Sequence, residues 1–458
     1  MTACKCPIEW FAQSATLPHI NATKITTPRT ADTALVRPLG FWEATTAINA
    51  RLGLGASTMI ILGEGTGPLD EQIVHAAAQA LFDRQDILQC RLSEGDPVPD
   101  FIQDVRFEDI PITMQHAETE DDLLVIWEQM LHEELPDRRR LWEVRFVPTK
   151  CGDRWRVFFK IHHAVADGRS MAAMLNQFLD FAARILRGDA LPRERTPIAP
   201  PAEQRVAERV SRKQWQTATE MLGEPPPITP WPLDHEATIE QRRSRIAVRS
   251  MPADDVVLLH QACHDRGTTI LGAFVAAISI VHARHAGGVV DTDTMIPIDM
   301  RRLFAEQPQQ HDLQMAAYVQ RVFLPAVRGD DDPWDIAARF RAGLETELTP
   351  DGVPPWDFLP EDVSNSVAEW MDLEGQYRHG FCATNVGVLP FTGDYPPLST
   401  DRIEVTAAVQ FGGFPILAPI LTHKGVLRVN FTWTEPLMDQ ATADAWIDDV
   451  WELFTQLA

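Results

Sequence analysis

Positive charge is in short supply in this chain. Its 458 residues carry 41 Lys and Arg against 65 Asp and Glu, a formal net charge of −24 at pH 7. A surface of that sign repels polyanions, which argues against nucleic acid or an anionic membrane face as the partner. It leaves room for a phosphate-bearing small molecule, because a local cluster of cations can bind one on an acidic protein. Cysteine is scarce as well: the six are Cys4, Cys6, Cys90, Cys151, Cys263 and Cys382. Only Cys4-Lys5-Cys6 forms a close pair, and its spacing fits no zinc site, so reduced thiols and no metal centre are expected. No run approaches the roughly 18 apolar residues of a membrane helix. The N-terminus lacks the basic segment and apolar core of a secretory leader. A cytoplasmic protein without stable membrane insertion is therefore expected. Also missing is a G-x-S-x-G nucleophile elbow, which disfavours a covalent serine mechanism.

What is present describes a globular enzyme-sized chain. Hydrophobic residues make up 45% and charged residues 23%, ordinary values for a folded protein. The length exceeds what one hydrophobic core usually organises, so two domains are expected. Residues 1–35 are polar and read as an extended or partly disordered lead-in. From there strand and helix patterns alternate. Thr58–Leu62 reads as a strand, Leu69–Phe82 as a helix, Asp86–Leu92 as a strand and Asp121–Leu135 as a helix. Trp142–Val147 and Arg154–Ile161 read as a hairpin. Nine prolines between 188 and 232, around a helical piece from Glu203 to Leu222, mark a stiff connection too long for a simple loop. The alternation then resumes, with Thr269–His282 as a strongly apolar helix that must be buried.

The hairpin delivers two adjacent imidazoles. Trp155, Val157, Phe158, Phe159 and Ile161 lead into His162 and His163, with Asp167 four residues beyond His163 and Gly168 as a turn residue. A helical pattern starts at Ser170 and continues through Met171, Met174, Leu175, Phe178 and Leu179. Adjacent residues on a strand point to opposite faces, so the two histidines cannot share one role. His163 is expected to face a cavity as a general base, and His162 to turn inward and hydrogen-bond locally. The residues by themselves also admit a structural buried pair. Opposite-facing neighbours make poor co-ligands, so a metal reading is weak.

His162-His163-Ala164-Val165-Ala166-Asp167-Gly168 resembles the HHxxxDG motif of the acyltransferase superfamily that shares the chloramphenicol acetyltransferase fold. That superfamily includes peptide-synthetase condensation domains, wax ester synthases, polyketide-associated acyltransferases and alcohol acetyltransferases. Further segments resemble it in order. Leu39-Gly-Phe-Trp-Glu43 resembles the opening of the first domain, although Glu43 also reads as a solvated helix residue. Asp293–Arg302 resembles the PxxxR strand, and Phe381–Leu389 resembles the segment carrying a conserved-type Asn-x-Gly. The DFGWG motif of the plant branch is missing.

The resemblance implies an α/β fold of two chloramphenicol acetyltransferase-like sandwich domains with mixed sheets and an active-site tunnel between them. Residues 36–187 would form the N-terminal subdomain, 188–240 the connection and 241–458 the C-terminal subdomain. It implies His163 as general base, with His162, Asp167, Gly168 and Arg301 as structural members of the catalytic loop. Arg301 would salt-bridge Asp167, a backbone N–H near Gly168 would donate to the oxyanion, and Asn385 would contact substrate. No bound cofactor is implied. The cosubstrate would be acyl-CoA or a phosphopantetheinyl thioester, the donor partner acyl-CoA or an acyl carrier protein, and the acceptor a small-molecule alcohol or amine. Two fused domains suit a monomer. The alternatives are a free-standing condensation enzyme using a carrier-protein donor, and a member repurposed for binding or other chemistry.

Overall fold

The computed structural model describes residues 35–94, 99–150, 152, 154–207, 227–306, 312–347, 377, 380–389 and 394–458. The lead-in before residue 35, Cys4, Cys6, Cys151 and most of the helix expected between Glu203 and Leu222 lie outside them. The first half runs β1 (Leu35–Pro38), α1 (Phe41–Leu52), β2 (Thr58–Thr66), α2 (Glu71–Arg84), β3 (Cys90–Leu92), β4 (Asp100–Gln103), β5 (Ile112–Met114), α3 (Glu120–His132), β6 (Trp142–Phe146), β7 (Arg154–His162), α4 (Gly168–Arg187) and α5 (Ala202–Ala207). The second runs β8 (Arg243–Met251), α6 (Ala253–Asp265), α7 (Ile270–Ala286), β9 (Val290–Asp299), β10 (Ala317–Val327), α8 (Pro333–Glu347), β11 (Phe381–Val388), β12 (Asp394–Tyr395), β13 (Leu398–Ala407), β14 (Ile416–His423), β15 (Val426–Glu435) and α9 (Gln440–Thr455).

These elements make two six-stranded sheets, ordered β12-β13-β2-β7-β6-β5 and β10-β9-β11-β14-β15-β8, and a small sheet β1-β4-β3. Both large sheets are mixed. In the first, β5 runs parallel to β6 while its other pairs are antiparallel; in the second, β11 runs parallel to both β9 and β14. Strand β7 lies inside the first sheet and is buried on both faces, with Arg156 and Lys160 sharing the face of Phe158. Its Trp155, Val157, Phe159 and Ile161 join residues of α2 and α4 in one core, while Phe158 joins Ile126, Trp127 and Met130 of α3 on the opposite side. Burial on both sides follows from helices covering both faces of the strand.

Helix α4 begins two residues earlier than the apolar periodicity indicated. Gly168 is its first residue rather than a turn, because Asp167 serves as the N-cap and accepts a hydrogen bond from the Ser170 N–H at 2.9 Å. The helix ends where Gly188 turns left-handed at φ 73°. The strand expected over Asp86–Leu92 is split: Asp86–Gln89 forms a 3-10 turn, and only Cys90–Leu92 pairs, with β4. Helix α7 is capped by Thr269, which accepts from the Gly272 N–H at 3.1 Å. Every residue from Leu271 to Ala283 is buried in the second core, which explains its apolar character on all sides. Among the described residues no single helix is long and apolar enough to cross a membrane.

The boundary expected at residue 241 does not divide the sheets. Strand β13, far down the second half, pairs antiparallel with β2 along Thr400–Ala407 and Gly65–Met59, so β12 and β13 complete the first sheet. The physical reason is that β2 would otherwise be an edge with unpaired N–H and C=O groups. Where the two sheets approach, polar contacts cross between them alongside apolar ones such as Ile60 and Leu62 with Ile246. Thr406 Oγ1 lies 2.6 Å from Thr432 Oγ1, Asn430 donates to the Val405 carbonyl at 2.9 Å and Thr434 to the Val409 carbonyl at 2.8 Å.

Candidate active site

Past this polar seam a cavity of ≈ 330 Å³ opens between the sheets. The first sheet and its loops contribute Met59, His163 and Asp167, and the second contributes Met295, Val319, Cys382 and Leu417. Phe411 and Phe414, on the loop crossing from β13 to β14, close one side, and Phe41, Thr45 and Asn49 of α1 line another. The wall is mostly apolar, as small-molecule sites usually are.

Strand β7 ends at His162, and His163 is the first residue of the turn into α4. The half-buried His163 places Nδ1 3.0 Å from the Ala166 carbonyl oxygen. A carbonyl only accepts, so this contact assigns the proton to Nδ1 and leaves Nε2 as a basic lone pair. Burial holds the imidazole below its ordinary pKa, in spite of the opposing pull of the Ala166 carbonyl and the Asp167 charge, so it is neutral at pH 7. His162 is turned into the protein. Its Nδ1 accepts from the Ala164 N–H at 3.1 Å, and burial pushes its pKa down to about 4. The two rings thus carry opposite tautomers, each set by a local backbone contact.

Asp167 faces the second sheet. Arg301 Nη1 donates to its Oδ2 at 2.7 Å and Nη2 to its Oδ1 at 3.1 Å. The N–H of Ala316 donates to Oδ2 at 3.1 Å. Burial alone would raise this carboxyl. The Arg301 charge and hydrogen bonds, with the N–H groups of Ser170 and Ala316, outweigh that and hold it below the usual carboxylate range. Arg301 is not on the strand, where the sequence pattern put it. Strand β9 ends at Asp299, and Arg301 lies in a 3-10 turn whose N–H donates to the Asp299 carboxylate at 3.1 Å. That turn aims the guanidinium back toward the α4 N-terminus. Ser170 Oγ completes the group, 2.8 Å from Arg301 Nη2 and 2.9 Å from the Gln314 carbonyl.

Asn385 also lines the cavity but is exposed, and its Oδ1 accepts from the Gly387 N–H at 2.8 Å. Gly168 lines it too, and as the opening residue of α4 its N–H has no intrahelical acceptor. A side chain there would press on Val386, whose Cγ2 stands 3.2 Å from where a Cβ would sit. Glu43 is not the solvated residue its helical position suggested. It is buried, paired with Arg37 through two 2.7 Å contacts, and accepts from the Gly40 N–H at 2.7 Å. Glu203 of α5 reaches the same spot and accepts from the Trp42 N–H at 3.0 Å. The pair fixes the start of α1, which carries one cavity wall. Sequence reasoning missed Ser57 and Asn49, although the glycines before Ser57 hint at a backbone making close turns; the Gly-rich crossing Gln410–Ile416 reads in the sequence as a lining of the acceptor side, and its Phe411 and Phe414 do line the cavity.

Solved structures define the class of this architecture. The trichothecene 15-O-acetyltransferase of Fusarium sporotrichioides is 14% identical with a TM-score of 0.71, covering 92% of this chain and 96% of that one. The first condensation domain of the CDA synthetase gives the same TM-score of 0.71 at 14% identity, over 92% and 96% of the two chains. The fold is therefore the mixed α/β fold of condensation domains and chloramphenicol acetyltransferase-like acyltransferases, as the motif implied. The model of the condensation domain family matches residues 56–296, more than half of the sequence, and the chain belongs to that family. Tyrocidine synthase 3 of Brevibacillus parabrevis is 24% identical over 252 residues, 50% of this chain, and the match spans only 4% of that much longer protein. Membership supports acyl transfer, and hence a transferase, as the general chemistry.

Proposed function

We propose that this chain transfers an acyl group from a thioester to the hydroxyl or amine of a small-molecule acceptor, with His163 as general base. The observation that carries the reading is the His163 ring itself: Nδ1 is engaged by the Ala166 carbonyl, Nε2 is left basic, and the residue lines the cavity between the sheets. Nε2 accepts the acceptor's proton as its oxygen or nitrogen bonds to the thioester carbonyl carbon. The carbonyl electrons move onto oxygen, where the Gly168 N–H at the start of α4 is a donor for the developing charge. The C=O bond re-forms as the C–S bond breaks, and the departing thiolate takes the proton back from Nε2. No outside reactant is needed. General-base assistance of this kind contributes roughly 10²–10⁴-fold. Asp167 and Arg301 hold the loop, His162 anchors its other end, and Asn385 contacts substrate from the second sheet. Donor and acceptor enter from opposite ends of the tunnel, and one chain suffices.

The donor is coenzyme A or the phosphopantetheine arm of a carrier protein. Family membership favours the carrier-bound form, whereas the likeness to a 15-O-acetyltransferase extends to the fold alone. A free-thiol release assay tests the reading with acyl-CoA and acyl-pantetheine donors, mixed alcohols and amines, and His163→Ala as control. Release that requires an acceptor and disappears in the folded variant is expected. Undiminished transfer by His163→Ala overturns the assignment of the base, and absence of release with every donor favours a repurposed member.

A further inference from the structure

One residue on the cavity wall is held in a backbone conformation that its side chain disfavours. Ser57 has φ +63°, in the left-handed region that non-glycine residues rarely adopt. Such strain persists where surrounding structure enforces it, and it concentrates at functional sites. Here the enforcement is visible. The Ser57 N–H donates to the Ala408 carbonyl at 3.0 Å, and the Ala408 N–H donates to the Thr58 carbonyl at 2.9 Å. In the preceding turn Leu54 (φ +48°) and Gly55 (φ +94°) also have positive φ, and of the three Ser57 is the one that lines the cavity.

The register puts this serine beside the base. The last paired positions of β2 and β7 are Thr58 and His162, so Ser57 and His163 are the next residues along the two strands as the ladder ends. Both line the cavity. Ser57 is 9% exposed, and its hydroxyl has no hydrogen-bond partner among the described residues. Asn49, also 9% exposed and on the same cavity, likewise has a carboxamide with no such partner. Both side chains border the cavity, where a bound ligand can reach their unpartnered polar ends.

We propose that the Ser57 hydroxyl is a hydrogen-bond donor to the substrate carbonyl oxygen, strengthening as that oxygen gains negative charge. The inference rests on the acyl-transfer reading above. Ser57 shares its proton without giving it up: the carbonyl electrons move onto oxygen as the acceptor bonds to carbon, and return as the thiolate leaves. A donor level with His163 on the neighbouring strand is well placed for this, because base and donor then flank one reacting carbon. Asn49 supplies a second polar contact to the same substrate.

Ser57→Gly and Ser57→Ala provide the test. Glycine adopts φ +63° freely, so Ser57→Gly removes hydroxyl and strain together. The expected result is a melting temperature at or above wild type, with kcat for octanoyl transfer to a mixed-alcohol panel down tenfold or more. KM should change less, and Ser57→Ala should show the same loss of kcat. A role confined to the turn would leave kcat of Ser57→Gly at the wild-type value, and a rate within twofold overturns the proposal. If the wild-type protein releases no thiol from octanoyl-CoA or octanoyl-pantetheine, the acyl-transfer reading fails separately. Calorimetric titration with octanoyl-pantetheine then decides the contact: affinity at least several-fold weaker in Ser57→Gly supports it, and equal or undetectable binding by both proteins overturns it.

Discussion

Arg301 grips both carboxylate oxygens of Asp167 across 134 residues of sequence, joining the first turn of α4 to the turn after β9. With the N–H groups of Ser170 and Ala316, four donors converge on this one carboxylate. A group so engaged is poorly placed to take up a proton. Its effect on chemistry runs through geometry, by fixing the loop that presents His163 and by clamping the two sheets together at the cavity floor.

Removing one partner leaves a buried charge uncompensated. Arg301→Ala is expected to destabilise the protein by about 3–5 kcal/mol, read as a lower midpoint in urea unfolding. Asp167→Asn keeps the shape but loses the charge, and should cost less while still lowering the transfer rate.

His163→Ala should lower kcat/KM by about 10²–10⁴-fold with little change in melting temperature. Because burial holds the His163 pKa below its ordinary value, the free base persists through neutral pH. The pH profile of kcat/KM should therefore stay level at and above neutrality and fall on the acid side, with its midpoint below the ordinary histidine value of about 6.5. A midpoint above that value would contradict the assignment.

Glu203 titrates in an unusual range. Burial, with the Glu43 charge adding to it, pushes its carboxyl up from 4.5 to about 7. Between these values the folded protein keeps a proton that the unfolded chain has already released, so stability declines as pH rises through the window. Glu203→Gln cannot ionise and should escape that decline. The difference in melting temperature between variant and wild type should grow from pH 4.5 to about 7, equivalent to an order of about 2–3 kcal/mol. A difference constant with pH would show that Glu203 is ionised throughout.

Cys382 lies on the apolar wall with Met295, Phe411, Phe414 and Leu417. Burial pushes its thiol up to about 12, so it acts as a small apolar side chain rather than a nucleophile. Cys382→Phe should fill part of the cavity and shift preference toward shorter or smaller substrates by roughly tenfold. The check is thiol release across an acyl-chain series, alongside a melting curve, since overpacking costs about 1–3 kcal/mol.

Local physics made the centre of this fold readable. The run from Trp155 to Ile161 and the helical spacing from Met171 to Leu179 place β7 and α4 because each pattern reports burial on its own element. The same segment separates the roles of His162 and His163, but alternation alone does not say which of them faces the cavity. The Arg301 partnership was legible only through family likeness, since nothing local tells a buried arginine from a surface one. What stayed hidden depends on distant chain. Glu43 reads as a surface residue until Arg37 and Glu203 are seen around it. The left-handed Ser57 is enforced by Ala408, which comes from the other end of the sequence. Strand β13 is absent from the sequence reading, and nothing in Leu398–Ala407 itself states which sheet it will join.

That last point has a consequence for dissecting the protein. Leu398–Ala407 lies against β2 while its neighbours Ile416–His423 and Val426–Glu435 belong to the opposite sheet, so the halves are interlaced through the backbone. A fragment ending at Gly188 would expose β2 as a bare, sticky edge and self-associate rather than behave as an independent module. Co-expressed with its complement it would recapture the missing strand. The natural unit for splitting or permuting this molecule is therefore set by its hydrogen-bond ladder, and the proline-rich stretch that looks like a hinge is a poor place to expect two separable pieces.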